Sequence, residues 1–143
     1  MDFRNLKPKD LKQKPRKIRN WLQRIKLGKA IQDLDFFGSL KLLDEIKGAE
    51  FVERVHGKVD CLQYAMGEVN LEKLAQGSLK HNGNPREGDI IIYGHDINYP
   101  SHCGIWLNDE RVISKLGDYG PVIKHGWNQV FLQYGKIAFF SRI

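Results

Sequence analysis

The sequence predicts a single α+β domain in which helices come first and an antiparallel β-sheet follows. Two observations lead to this prediction. Apolar residues recur with helical spacing in the first half of the chain, whereas short β-branched runs separated by turn residues fill the second half. Helices followed by a meander of strands are typical of an α+β domain. The 143 residues suffice for one domain with a hydrophobic core.

Two helices are predicted before residue 50. The first follows Pro15, where apolar side chains recur at i, i+3, i+4 and i+7, at Ile18, Trp21, Leu22 and Ile25. The second covers residues 36–46 and ends at Gly48. We expect the first helix to dock its apolar stripe on the domain, and binding to a membrane surface or a partner is the alternative.

A third, short helix is predicted to begin at Cys61. Asp60 is a favourable N-cap residue, and Gln63 follows it at the spacing of a capping box. Gly67 is expected to end this helix. Strands are predicted further on, at residues 90–93, 102–107, 111–114, 122–125 and 136–141.

Positive charge is concentrated at the N-terminus. Residues 1–30 contain 11 Lys or Arg and 2 Asp, a net charge of +9, whereas residues 31–143 contain 12 Lys or Arg and 15 Asp or Glu, a net charge of −3. We therefore divide the chain into a basic N-terminal arm, residues 1–30, and a globular domain, residues 31–143. The arm suits an anionic membrane surface or a partner protein. A nucleic-acid-binding domain is not expected, because its body would also be basic.

The N-terminal sequence also bears on localisation. No apolar run approaches the ~20 residues that cross a bilayer, and the charged N-terminus differs from a Sec signal peptide. We expect a protein made in the cytoplasm, which a specialised secretion machine would have to carry if it acts elsewhere. The two cysteines, Cys61 and Cys103, are too few for a disulfide framework, so each is a core residue or a reactive thiol.

Cys61 and His102 form the candidate catalytic pair. A thiol at a helix N-terminus has a lowered pKa, and the same N–H groups can hold an oxyanion. A nucleophilic cysteine also needs an imidazole from elsewhere in the fold, and His102 heads a predicted strand. The alternative is a buried core cysteine and a structural histidine, since free cysteines are among the most buried residues.

Four segments, in order, resemble the NlpC-type papain-like cysteine peptidases. They are Asp60-Cys61 before an apolar helix, the Pro-x-x-Gly-Asp-apolar run at 85–91, the His-apolar-Gly-Ile strand at 102–107 and the next strand at 111–113. The resemblance implies a papain-like fold over residues 31–143, with N-terminal helices packed on a small antiparallel sheet. It also implies that Cys61, at a helix N-terminus, is the nucleophile and that His102 is its base.

The C-terminal part resembles a bacterial subgroup of these domains, found as uncharacterised proteins and in polymorphic toxins. The matching features are the Ser-Lys-Leu-Gly segment at 114–117, His125 and the Tyr-Gly pair at 134–135. In the family the third catalytic residue lies on the strand after the histidine, where this chain has Ser114. His125, on the following strand, is the other candidate. We interpret Cys103 as a core residue on the opposite face of its strand from His102.

These residues predict thiol-dependent hydrolysis of a peptide or other amide. The resemblance implies cell-wall peptides as substrates, cleaved by a wall hydrolase or by a delivered toxin or effector that has an immunity protein as its partner. One alternative keeps the fold but acts as an acyltransferase, a lipase or a protein-modifying effector. The other is a catalytically weak binding module that uses the basic arm. No cofactor and no metal ion are predicted, because the histidines lack zinc-ligand spacing.

Overall fold

A computed structural model describes residues 2–13, 31, 34–66, 84–95 and 100–141. It contains helices α1 (Phe36–Lys41) and α2 (Cys61–Met66). The strands are β1 (Lys12–Gln13), β2 (Glu50–Arg54), β3 (Ile90–Gly94), β4 (Pro100–Trp106), β5 (Arg111–Lys115), β6 (Pro121–Gly126) and β7 (Ile137–Ser141). They form one sheet in the order β1-β7-β3-β4-β5-β6-β2. The pairings among these strands are antiparallel, apart from the parallel pairing of β1 with β7. The α+β class is thus confirmed.

The helices are shorter than the sequence predicts. The helix expected over residues 36–46 becomes α-helical only to Lys41, and the 3-10 helix Leu42–Glu45 continues it. The Asp35 carboxylate caps α1 by accepting the Gly38 N–H at 2.7 Å. The amphipathic helix predicted at 18–25 and the expected helix end at Gly67 lie outside the described residues.

The core is built on strand β3. This strand lies between β4 and β7, and its residues 90–93 are at most 1% exposed. A strand that is covered on both faces has a continuous apolar run instead of an alternating one, which explains the Ile-Ile-Ile-Tyr sequence. The Tyr93 hydroxyl is buried, and it donates a hydrogen bond to the Trp127 carbonyl oxygen at 2.6 Å, so its polar group has a partner.

Residues 2–13 pack against the sheet. Phe3 is 1% exposed, and its ring centroid lies 5.2 Å from that of Tyr93. The Arg4 guanidinium donates hydrogen bonds to three carbonyl oxygens within residues 130–135, at 3.0–3.3 Å. This segment thereby ties the start of the chain to the loop before β7, a contact that its basic composition does not reveal.

Strand β2 has no counterpart among the predicted elements. It forms the outer edge of the sheet, pairs with β6, and contains an irregularity between Phe51 and Glu53. All five of its residues are exposed. Its stability comes from backbone hydrogen bonds to β6, so its sequence lacks the apolar alternation that marks a half-buried strand. The sheet is therefore larger than expected. No helix in the described part of the chain is long and apolar enough to cross a membrane.

Candidate active site

The capping box at Asp60 fixes the position of Cys61. The Asp60 carboxylate accepts the Gln63 N–H at 2.7 Å, and the Gln63 side-chain oxygen accepts the Asp60 N–H at 3.0 Å. The first helical hydrogen bond runs from the Tyr64 N–H to the Asp60 carbonyl at 3.0 Å. These three bonds make Cys61 the first residue of α2, as the sequence predicts.

Helix α2 packs against β4 and β5 and brings Cys61 close to two residues of β4, His102 and Cys103. The Cys103 thiol lies 3.8 Å from the Cys61 sulfur and donates a hydrogen bond to it. Both thiols are buried and unbridged, Cys61 at 1% and Cys103 at 0% exposure. The interpretation of Cys103 as a core residue facing away from the site is therefore wrong in one respect, because its thiol contacts the Cys61 sulfur.

The surroundings of Cys61 favour its thiolate. The largest effect is the hydrogen bond from the Cys103 thiol, which lowers the pKa of Cys61. The hydrogen bond and the positive charge of His102 lower this pKa further. The Cys103 backbone N–H acts in the same direction. Burial acts in the opposite direction and does not prevail. The same hydrogen bond, together with burial, raises the pKa of Cys103 well above its ordinary value. The negative charge of the pair therefore resides on Cys61.

The His102 ring is held by stacking. Its centroid lies 4.1 Å from that of Tyr134, with an interplanar angle of 2°, and Tyr93 stacks more distantly at 5.9 Å. Nε2 of His102 is buried and has no hydrogen-bond partner within the described structure. No third polar residue in that part of the chain orients the ring, so aromatic contact with Tyr134 performs this role.

Ser114 and His125, the candidates for the third catalytic residue, bond to each other. They are diagonal neighbours on β5 and β6, and Ser114 Oγ lies 3.0 Å from His125 Nε2. His125 Nδ1 lies 2.7 Å from the Gly126 carbonyl, to which it must donate a proton, so Nε2 is the acceptor and Ser114 Oγ donates to it. Within the described structure these hydrogen bonds run between the two residues and to Gly126, and not to His102. Ser114 and His125 therefore form a separate buried pair.

The buried position of His125 predicts a pH-dependent stability. Burial lowers its pKa from about 6.5 to about 4, with smaller contributions from the charges of His102 and Arg111, and the Gly126 bond opposes the shift. The neutral ring is stabilising above pH 6.5, and this contribution is lost as the pH falls towards 4, because the unfolded chain binds the proton first.

We expect His125 to account for about 2 kcal/mol of the unfolding free energy lost between pH 7 and pH 5. Urea unfolding at both pH values measures this loss. The variant His125→Gln keeps a polar group near Ser114. Between pH 7 and pH 5 its unfolding free energy should fall by about 2 kcal/mol less than that of the wild type. Equal losses in the two proteins would contradict the assignment.

Lys115 is a buried side chain that hydrogen-bonds to the loop after β5. It is 0% exposed, and its Nζ donates to the carbonyl oxygens of Gly117 at 3.1 Å and Asp118 at 2.7 Å. The Asp118 carbonyl also accepts the Val59 N–H at 3.0 Å, just before Asp60. Burial lowers the pKa of Lys115, while the negative groups Asp118, Cys61 and Asp60 act to raise it. Lys115 thus fixes the chain that leads into α2. The only sign of this role in the sequence is that Lys115 follows Ser114 in the segment that resembles the bacterial subgroup.

Among the described residues, no three His, Cys, Asp or Glu side chains are grouped closely enough to bind a metal ion. Comparison with known proteins adds no relative. No family model matches the chain, and neither the curated proteins nor the solved structures yield a match.

Proposed function

We propose that the chain is a papain-like cysteine hydrolase of the NlpC type, which cleaves an amide bond through a thioester on Cys61. One observation carries the proposal. Cys61 is the first residue of α2, and its sulfur accepts a hydrogen bond at 3.8 Å from the Cys103 thiol on β4, the strand that also bears His102; both groups lower the pKa of Cys61. A buried cysteine that served only for packing would be uncharged, since burial alone raises the pKa of a thiol.

The arrangement supports the usual two steps of acyl transfer. The Cys61 thiolate attacks the carbonyl carbon, and His102 protonates the leaving amine, so that the C–N bond breaks and a thioester forms. His102 then removes a proton from water, whose oxygen attacks the thioester carbonyl; the C–S bond breaks, the carboxylic acid is released, and the Cys61 thiolate and the protonated His102 are restored. In the first turn of α2 the backbone N–H groups of Cys61 and Leu62 precede the first intrahelical bond, and they are suitably placed to hold the oxyanion.

The order of elements also supports the family proposal. A helix that begins with Cys61 packs on an antiparallel sheet, β3 follows the Gly-Asp turn, and β4, which bears His102, comes next. In that turn the Asp89 carboxylate accepts the Arg86 N–H at 2.7 Å. From the resemblance we propose peptide bonds of cell-wall stem peptides as the substrate, with cleavage by a hydrolase, toxin or effector.

Release of amines from peptidoglycan fragments tests this function. We expect the wild-type protein to release new primary amines, and Cys61→Ala to release none above background, because the thioester cannot form without the sulfur. The matched control is His56→Ala, which changes an exposed histidine before the capping box. It should release amines at the wild-type rate. Equal release by the wild type and Cys61→Ala, or no release by the wild type, would contradict the proposal.

A binding module is the second candidate function, and two observations favour it. Cys61 is only 1% exposed, and Nε2 of His102 lacks a partner in the described structure. A binding module would leave the thiol unreactive at neutral pH. The lipid-directed alternative rests on the basic arm, of which residues 14–30 lie outside the described residues, and it stays a prediction.

A further inference from the structure

The contact between the two thiols has no part in amide hydrolysis beyond lowering the pKa of Cys61. Cys103 lies on β4, 42 residues from Cys61 along the chain, yet the two sulfur atoms are 3.8 Å apart. The Cys103 backbone N–H also acts on the Cys61 sulfur, so this sulfur lies close to the Cys103 main chain. A disulfide needs about 2.05 Å between the sulfurs, and side-chain rotation over less than 2 Å would bridge the remaining gap.

We propose that Cys61 and Cys103 are a redox modification site, which a peroxide converts into an intramolecular disulfide. The Cys61 thiolate attacks one oxygen of hydrogen peroxide, the O–O bond breaks, and the hydroxide that leaves takes up a proton to become water. Cys61 is now a sulfenic acid. Cys103 then attacks the Cys61 sulfur, the S–S bond forms, the S–O bond breaks, and the second hydroxide leaves as water with the Cys103 proton. Two thiols are oxidised by two electrons, and the peroxide is reduced to two waters.

The environment of each thiol suits its role in this sequence. Cys61 carries the negative charge, and a thiolate is the form that peroxides oxidise. The pKa of Cys103 is raised mainly by its hydrogen bond to Cys61 and by burial, and the charge of Cys61 contributes too. When Cys61 becomes an uncharged sulfenic acid, this charge disappears and the Cys103 proton is released more easily.

The disulfide would protect the nucleophile. A sulfenic acid without a thiol neighbour reacts with more peroxide to the sulfinic acid, which common thiol reductants do not reverse. A dithiol reductant restores both thiols from the disulfide. The modification itself does not require the proposed hydrolase activity. Reversible inhibition of hydrolysis by peroxide does rest on that proposed function.

Peptide mapping of the oxidised wild-type protein tests the modification. The folded protein is treated with one equivalent of hydrogen peroxide, denatured with an alkylating agent, and digested with trypsin. Cys61 then falls in residues 59–73 and Cys103 in residues 87–111. We expect these two peptides to be linked in the monomer, with the link lost after dithiothreitol. Cys103→Ser should give no link, and with excess peroxide applied to both proteins a larger share of its oxidised Cys61 should reach the sulfinic acid.

Three results would overturn the proposal. In the first, Cys61 of the wild type is found as the sulfinic acid and Cys103 is found alkylated. This result would show that Cys103 does not trap the sulfenic acid. Two alkylated thiols would show that peroxide does not react at the site. A link confined to disulfide-bonded dimers would show that the pairing is between molecules. All three readouts use mass alone, so a failure of the hydrolase proposal would leave them unaffected.

Discussion

Replacement of His102 by alanine is expected to raise the pH midpoint for alkylation of Cys61, and a rise to about pH 7 would slow the reaction at pH 6 by about tenfold, because the thiolate fraction falls tenfold for each unit by which the pKa exceeds the pH. In the wild-type protein His102 lowers the pKa of Cys61 through a hydrogen bond and through its charge. The wild-type midpoint should lie below the ordinary thiol value of about 8.5. Iodoacetamide labelling across a pH series, read by mass at Cys61, measures both midpoints.

Burial of Cys61 slows the absolute rate but leaves the midpoint to report the pKa. The matched control is His125→Gln, which changes the other buried histidine. Because the hydrogen bonds of His125 in the described structure go to Ser114 and Gly126, this variant should keep the wild-type midpoint. A raised midpoint in His125→Gln would instead identify His125 as the third catalytic residue. An ordinary midpoint in the wild type, indifferent to His102, would favour the binding module.

Replacement of Gly120 by alanine is expected to lower the unfolding free energy by about 3 kcal/mol, the upper range for overpacking a well-filled site. A Cβ atom at Gly120 would lie far inside van der Waals contact with the Leu116 carbonyl, and 2.8 Å from the Ser39 Cβ. Neither neighbour is a flexible side-chain end. The clash should displace the loop whose Asp118 carbonyl holds Val59 before α2. Urea unfolding measures the loss.

Gly126→Ala provides the comparison. The backbone at Gly126 lies outside the left-handed region, and the nearest atom to an added Cβ would be Gln129 Cγ at 3.3 Å, on a flexible side chain. We expect its stability to stay within about 1 kcal/mol of the wild type, since Gly→Ala at a tolerant position changes mainly the unfolded chain. Similar losses in the two variants would show that the clash at Gly120 is relieved without cost.

Local signals predicted the parts of the fold that depend on nearby residues. The capping box at Asp60 involves atoms three residues apart, and the β-branched run of β3 reflects burial on both faces. The edge strands β1 and β2 were missed because their order comes from pairing with β7 and β6, far along the chain. An edge strand needs no apolar alternation, so its own sequence gives little sign of it.

The candidate site also has features that local sequence predicts and features that depend on long-range packing. The sequence indicated Cys61 and His102 by position, but the role of Cys103 depends on how α2 docks on β4. Strict alternation would put Cys103 and His102 on opposite faces, yet both act on Cys61. Both residues pair in regular register with β3, and the irregularity of this pairing lies before His102, so the common contact depends on where α2 docks on the strand. The stacking of Tyr134 on His102 likewise depends on long-range folding.

The position of β7 in the sheet determines the order in which parts of the sheet can form during synthesis. β7 lies between β1 and β3, so the latest strand along the chain is an interior strand, and the earliest can join the sheet only through it. On the ribosome, β1 and the Phe3 contact with the core must wait until residues 137–141 have emerged. Such long-range pairing makes folding slow. The loop carrying Tyr134 directly precedes β7, so the stacking partner of the His102 ring also emerges late, just before the strand that closes the sheet around β1.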